Sequence, residues 1–151
     1  YTMAFSVMTR VETPLPTVLA ALRAARQASC RTILNPSPVM ALPDAVWPLL
    51  DVVVLNEHEA QVLGGGTVAT PAEAARAAQV LLARGPERIV ITMGAAGVVV
   101  ADRNGCRHHP APAVEAVDTT AAGDTFLGAL ATALARGGSA TVRSSMRAPR
   151  A

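Results

Sequence analysis

One stretch brings chemically capable residue types together at close spacing: Asp118-Thr119-Thr120-Ala121-Ala122-Gly123-Asp124. Thr119 to Gly123 are all small, and the sequence from Asp124 onward reads as a helix with Phe126, Leu127, Leu130 and Leu134 as its apolar residues. A small-residue loop that opens a helix presents free backbone N–H groups, and the helix dipole adds partial positive charge there. Such a place attracts an anion, phosphate above all. The Asp124 carboxylate would repel that phosphate unless it served a reaction. The role that fits is to take the proton from a hydroxyl that attacks phosphorus.

The elements that must position this stretch follow from the rest of the chain. Met3 to Met8 reads as a short buried strand, and Thr13-Pro14 as the cap and first turn of a helix over Leu15 to Ser29. Thr32 to Asn35 is a strand ended by Pro36-Ser37-Pro38, and a short helix is expected around Pro43 to Leu50. Asp51-Val52-Val53-Val54-Leu55 has the uninterrupted apolar, β-branched character of a strand buried on both faces. Asn56 to Ala60 opens a helix stopped by Gly64-Gly65-Gly66. Thr70-Pro71-Ala72-Glu73 combines an N-cap, a first-turn proline and a capping-box acid, so a helix should run from there to about Arg84. Arg88 to Met93 and Gly97 to Ala101 are strands, Asn104-Gly105 is a hairpin turn, and Cys106 to His109 is the return strand.

This alternation implies an α/β fold, a three-layer αβα arrangement with a mostly parallel sheet and helices on both faces. In an open sheet of this kind ligands bind outside the carboxyl ends of the strands. Glu12, Asn35-Pro36, Asn56 to Glu59 and Thr92 to Gly97 all fall at such ends, and the Asp118–Asp124 stretch joins them at a helix start. Asn56 can hydrogen-bond a phosphate or water, and Glu59 can hold a hydrated Mg²⁺ through its waters. The alternative is that the two form a capping box. Thr92-Met93-Gly94-Ala95-Ala96-Gly97 can let a nucleotide approach the backbone or can be a plain hairpin turn. It is not the G-x-G-x-x-G fingerprint of a nicotinamide-binding domain, and the chain has neither a P-loop nor any lysine to complete one. Cys106, His108 and His109 are poor metal ligands together, because adjacent strand residues point to opposite faces. Glu12 alone reads as a solvated loop acid, and Asp118 either binds a monovalent cation or caps a turn.

Composition bounds the partners. The 151 residues make one ordinary domain, half of them apolar, with a core of Ala, Val, Leu and Ile and few aromatics. A net charge of +2 is too small to point to nucleic acid. Residues 137–151 form a basic tail with no apolar period, set apart from residues 1–136. No apolar run is long enough for a membrane helix. The two cysteines, without metal-like spacing, read as free thiols, so a cytoplasmic protein is expected.

Four blocks carry a family resemblance: Ile33-Leu34-Asn35-Pro36-Ser37-Pro38, Leu55-Asn56-Glu57-His58-Glu59-Ala60, Ile91-Thr92-Met93-Gly94-Ala95-Ala96-Gly97-Val98, and Ala116 to Phe126. In order and interval they resemble the ribokinase family of sugar kinases, the phosphofructokinase-B superfamily. That resemblance implies ATP-dependent phosphorylation of a sugar primary hydroxyl, with D-ribose giving ribose 5-phosphate. It implies Asp124 as the base and the Ala121, Ala122 and Gly123 amides as an anion hole. It puts Asn56, Thr92, Met93, Gly94, Ala95, Ala96, Gly97, Gly123 and Asp124 around ATP, and Glu12 and Asp124 at the sugar. It assigns Glu59 to Mg²⁺ through water, and Asp118 with Thr120 to K⁺. A full-length member is expected to be a homodimer. Family members are longer: the Gly-Gly sugar loop, the N-terminal strands and lid, and the last helices are not found in this chain. Two readings therefore stand beside a ribose kinase: a truncated nucleotide-binding remnant, and a related fructose or nucleoside kinase.

Overall fold

A computed structural model describes residues 14–111. The strand expected at Met3 to Met8, the Thr13 cap and everything from residue 112 onward lie outside the described residues.

Helix α1 is Leu15–Gln27, with Val18, Leu22 and Ala25 buried along one face. Pro14 stands at its N-cap. Strand β1 is only Ile33–Leu34, shorter than expected because the Pro36-Ser37-Pro38 segment cannot continue a ladder. The helix expected over Pro43 to Leu50 is reduced to a single 3₁₀ turn, Trp47–Leu49, with Pro48 inside it. The turn is closed by i→i−3 hydrogen bonds, from the Val46 amide to the Pro43 carbonyl at 3.0 Å, Leu49 to Val46 at 3.0 Å and Leu50 to Trp47 at 3.2 Å, and packing adds to them. Trp47 is fully buried, its indole N–H donates to the Leu42 carbonyl at 3.3 Å, and the Arg84 guanidinium lies 4.3 Å from the ring centroid.

Strand β2, Val52–Asn56, is buried through Leu55, as its β-branched run requires. Helix α2, Glu57–Gly64, follows directly. Helix α3, Pro71–Leu82, opens on a complete capping box between Thr70 and Glu73. The Glu73 Oε2 accepts from the Ala69 amide at 2.9 Å, the Thr70 amide at 2.9 Å and the Thr70 hydroxyl at 3.0 Å. These donors, the Ala69 amide first, hold the Glu73 carboxyl below its ordinary value of 4.5.

Strands β3 (Arg88–Thr92), β4 (Val98–Asp102) and β5 (Gly105–His109) complete a five-stranded sheet in the order β1-β2-β3-β4-β5. β1, β2 and β3 run parallel, while β4 and β5 are antiparallel to their neighbours. The described sheet is therefore mixed. The second hairpin differs from expectation by one residue: Asp102 pairs with Gly105, so the turn residues are Arg103-Asn104, and Gly105 alone takes positive φ. Asp102 decides this, because its Oδ1 accepts from the Asn104 amide at 2.8 Å.

The main core lies on one face of the sheet. Val53, Leu55, Ile89, Ile91, Val99 and Ala101 pack against Ala60 of α2 and Ala74, Ala77, Ala78 and Leu81 of α3. Small residues let the helices approach closely: a Cβ added at Gly64 would stand 3.1 Å from the Ala77 Cβ. On the other face Val52, Val54, Val90, Val98 and Val100 are also buried, so the three inner strands β2, β3 and β4 have buried residues on both sides. At the amino end of β1 and β2 a polar lock sets the register. The Thr32 amide donates to Asp51 Oδ2 at 2.6 Å, the Asp51 amide donates to the Thr32 hydroxyl oxygen at 2.9 Å, and Arg26 pairs with Asp51 Oδ1 at 3.0 Å. Both residues are almost wholly buried, so each bond removes a donor or acceptor that would otherwise be left unsatisfied.

Candidate active site

The carboxyl ends of β1, β2 and β3 fall on one edge of the sheet because the three strands are parallel and in direct register. Asn35 follows β1, Asn56 ends β2 and Thr92 ends β3. Asn56 and Thr92 are facing partners in the ladder, so the α2 start and the Thr92–Gly97 turn are immediate neighbours.

Each of these polar groups is tied to the scaffold. The Asn35 side-chain N–H donates to the Val54 carbonyl at 3.0 Å, which fixes the chain leaving β1 against β2. The Thr92 hydroxyl donates to the Leu55 carbonyl at 3.2 Å. Asn56 and Glu59 form the capping box that was one of their two sequence readings. The Glu59 amide donates to Asn56 Oδ1 at 2.8 Å, and the Asn56 amide donates to Glu59 Oε2 at 3.0 Å. Glu59 is 3% exposed, so its carboxylate is held in one orientation, whereas Asn56 is exposed. The arrangement presents the Asn56 side chain and the positive end of the α2 dipole to solvent on the edge where an anion would be received.

The turn after β3 is shaped for close approach. Met93 is buried and anchors it, and the Met93 amide donates to the Gly97 carbonyl at 2.8 Å. Gly94–Ala96 form an exposed 3₁₀ turn without a side chain larger than methyl. Gly97 has φ of 98° and lies against β5: a Cβ there would overlap the His109 carbonyl oxygen and come within 2.6 Å of the Ala111 amide nitrogen. Only glycine suits that position.

His108 is a residue whose part here the sequence did not disclose. Its Nε2 lies 2.6 Å from the Ala96 carbonyl. A carbonyl only accepts, so Nε2 carries the hydrogen, and the imidazole clamps the tip of the turn to β5. His108 pairs with Val99 and His109 with Val98, so the two histidines stand on opposite faces of the strand. Among the described residues no three His, Cys, Asp or Glu side chains gather as a metal cluster. Cys106 lies on the α3 side, with its Sγ 3.7 Å from the Ala75 carbonyl, and burial pushes its thiol above the ordinary value of 9.0. No described helix is long and apolar enough to cross a membrane.

The structure thus brings Asn56, Glu59 and Thr92 to Gly97 to one edge. Glu12, Asp118, Thr120, Ala121, Ala122, Gly123 and Asp124 lie outside the described residues.

The profile of the pfkB family of carbohydrate kinases matches residues 4–147. Ribokinase of Staphylococcus aureus (strain COL) is 38% identical over 128 residues, which is 85% of this chain and 42% of that protein. Ribokinase of Mus musculus is 45% identical over 120 residues, 78% of this chain and 37% of that protein. The chain therefore spans less than half the length of these curated relatives. The structure of Arabidopsis thaliana ribokinase complexed with ribose and ATP superposes with a TM-score of 0.82 at 24% identity, covering 93% of this chain and 46% of that one. It shares the fold.

Proposed function

We propose that this chain, which belongs to the pfkB family of carbohydrate kinases, carries the phosphoryl-transfer centre of an ATP-dependent sugar kinase acting on D-ribose. What carries the reading is the adjacency of the Asn56–Glu59 helix start and the small-residue turn Gly94–Ala96 on one sheet edge, in a chain 38% and 45% identical to two ribokinases. Asp124 takes the proton of the sugar's primary hydroxyl, and the amides of Ala121, Ala122 and Gly123 hold the charge that develops on the transferred phosphoryl group. The Thr92–Gly97 turn lies along the nucleotide, and Asn56 contacts its phosphates. Glu12 contacts the sugar.

The donors at the α2 start suit a hydrated divalent cation. Glu59 is a buried carboxylate with one oxygen committed to the Asn56 amide, oriented by its own helix, which fits contact through water better than direct ligation. When bound, Mg²⁺ neutralises phosphate charge. Asp118 and the Thr120 carbonyl are proposed for K⁺. The same reading makes the whole protein a cytoplasmic homodimer.

A second reading is a protein that binds nucleotide without transferring phosphate, favoured because the residues brought together on the described edge, Asn56 and Thr92 to Gly97, are those proposed for the nucleotide. One experiment separates them. ADP release is measured with purified protein, ATP, Mg²⁺ and D-ribose, with 2-deoxyribose and fructose as comparisons. Ribose-dependent turnover is expected, and Asp124→Asn should lower it by about 10²–10⁴-fold while ATP still binds. Unchanged turnover in the variant would sink the kinase assignment. ATP binding with no sugar-dependent ADP in the wild type would establish the second reading.

A further inference from the structure

A second polar site lies at the opposite edge of the sheet, away from the candidate active site. A cleft of about 500 Å³ opens at the amino ends of β2 and β3, within the size range of small-molecule pockets. Val52, Leu82 and Pro86 supply apolar wall, and Arg31, Arg88 and Arg103 supply charge.

Among the described residues the ion pairs around this cleft leave Arg31 and Arg103 without a partner and Arg88 with one long contact. Asp51 has both carboxylate oxygens engaged, Oδ1 by Arg26 at 3.0 Å and Oδ2 by the Thr32 amide at 2.6 Å. Asp102 is likewise filled, Oδ1 by the Asn104 amide at 2.8 Å and Oδ2 by Arg107 at 2.6 Å. Arg88 stands directly across the ladder from Asp102 but has lost it to Arg107. Its nearest approach is 4.0 Å, beyond hydrogen-bonding distance. Its Nε is buried and without a partner among the described residues. Arg31 and Arg103, both exposed, make no ion pair with a described residue. Glu87 is the one lining carboxylate not already neutralised by a neighbour.

We propose that this cleft binds a small organic oxyanion, a carboxylate or a phosphate ester, with the half-buried Arg88 as its anchor and the exposed Arg31 and Arg103 at its mouth. Guanidinium forks match both oxyanions in geometry. The volume suits a metabolite-sized molecule better than a bare ion. Glu87 competes for the same cations and limits the affinity. The proposal does not depend on the kinase assignment, because no residue of the candidate active site lines the cleft.

Titration calorimetry at low ionic strength tests it, with citrate and glycerol 3-phosphate as probes and the purified protein as it stands. Saturable binding of at least one probe is expected, and which of them binds assigns the carboxylate or the phosphate-ester class. Arg88→Met and the exposed-turn variant Arg103→Gln should each weaken that binding, Arg88→Met by about tenfold or more. Glu87→Gln should strengthen it, and Asn56→Ala at the other edge should leave it unchanged. Melting curves confirm that each variant is folded, and Arg103→Gln carries the test if Arg88→Met is not. No saturable binding of either probe, or binding that is indifferent to Arg88→Met and Arg103→Gln, overturns the proposal.

Discussion

Asn56 and Glu59 satisfy each other across the first turn of α2: Asn56 Oδ1 takes the Glu59 amide at 2.8 Å, and Glu59 Oε2 takes the Asn56 amide at 3.0 Å. The pair therefore has a structural duty that exists without any ligand. It also sits on the edge where the phosphates of a nucleotide are proposed to lie. These two duties depend on different atoms, since the cap uses the Asn56 oxygen and leaves its side-chain nitrogen to the solvent side.

That division can be tested. Asn56→Ala should cost about 1 kcal/mol through loss of the cap. Asn56→Asp keeps the capping oxygen and should melt close to the wild type. If the side-chain N–H meets phosphate, Asn56→Asp should still lose at least about tenfold in kcat/KM for ATP, because it replaces a donor with a negative charge. Thermal melts and ATP kinetics on the same two variants check this. Wild-type kinetics in Asn56→Asp would confine the residue to capping.

Such pairs show how far the sequence alone reaches. Thr70-Pro71-x-Glu73 announces a helix start because every bond of a capping box is made within four residues, and it is realised in full. The run Val52 to Leu55 announces a doubly buried strand because each residue there is apolar. Asn56-x-x-Glu59 was legible as a position but not as a role, since a cap and a phosphate site demand the same residue types. The helix around Trp47 was legible in place but not in length: local hydrogen bonds make it a 3₁₀ turn, and the cation over its ring comes from Arg84, distant in sequence. The His108 clamp on Ala96 was hidden for a related reason. It depends on the register of the β4–β5 hairpin, and Asp102 moved that turn one residue from where Asn104-Gly105 would place it.

The Glu73 capping box gives a pH dependence with a definite sign. Its carboxyl is held below its ordinary value of 4.5 by the Ala69 amide first and by the Thr70 hydroxyl next. A carboxyl whose value is lower in the folded chain binds its proton more readily when unfolded. Its stabilisation is thus fully present above 4.5 and is lost as the pH falls through the lower, folded value. Glu73→Gln should therefore lower the melting temperature near pH 7, with the deficit shrinking as the pH is taken down below 4.5 and through the folded value. Because Glu73 is only partly buried, added salt should reduce the part contributed by Arg76 and leave the part contributed by the backbone donors. A deficit that does not shrink as the pH falls would show that the carboxylate charge is not what the cap uses.

Gly97 links the fold to the proposed nucleotide site most directly, since it closes the turn on which Gly94–Ala96 are displayed and lies against the β5 backbone. Gly97→Ala faces two separate obstacles. Its φ of 98° is one that residues with a side chain rarely adopt, and the new methyl would collide with the His109 carbonyl oxygen, which is backbone and cannot swing aside. A cost of about 2 kcal/mol or more is expected, read as a drop in denaturation midpoint. Relief of the collision requires β5 to move away from the turn, and that would break the His108 contact to Ala96. Gly97→Ala should therefore raise KM for ATP as well as lower stability. His108→Ala, which removes the clamp and leaves the Gly97 backbone unstrained, should raise KM for ATP with a smaller loss of stability. A KM unchanged in both variants would separate the turn from nucleotide binding altogether.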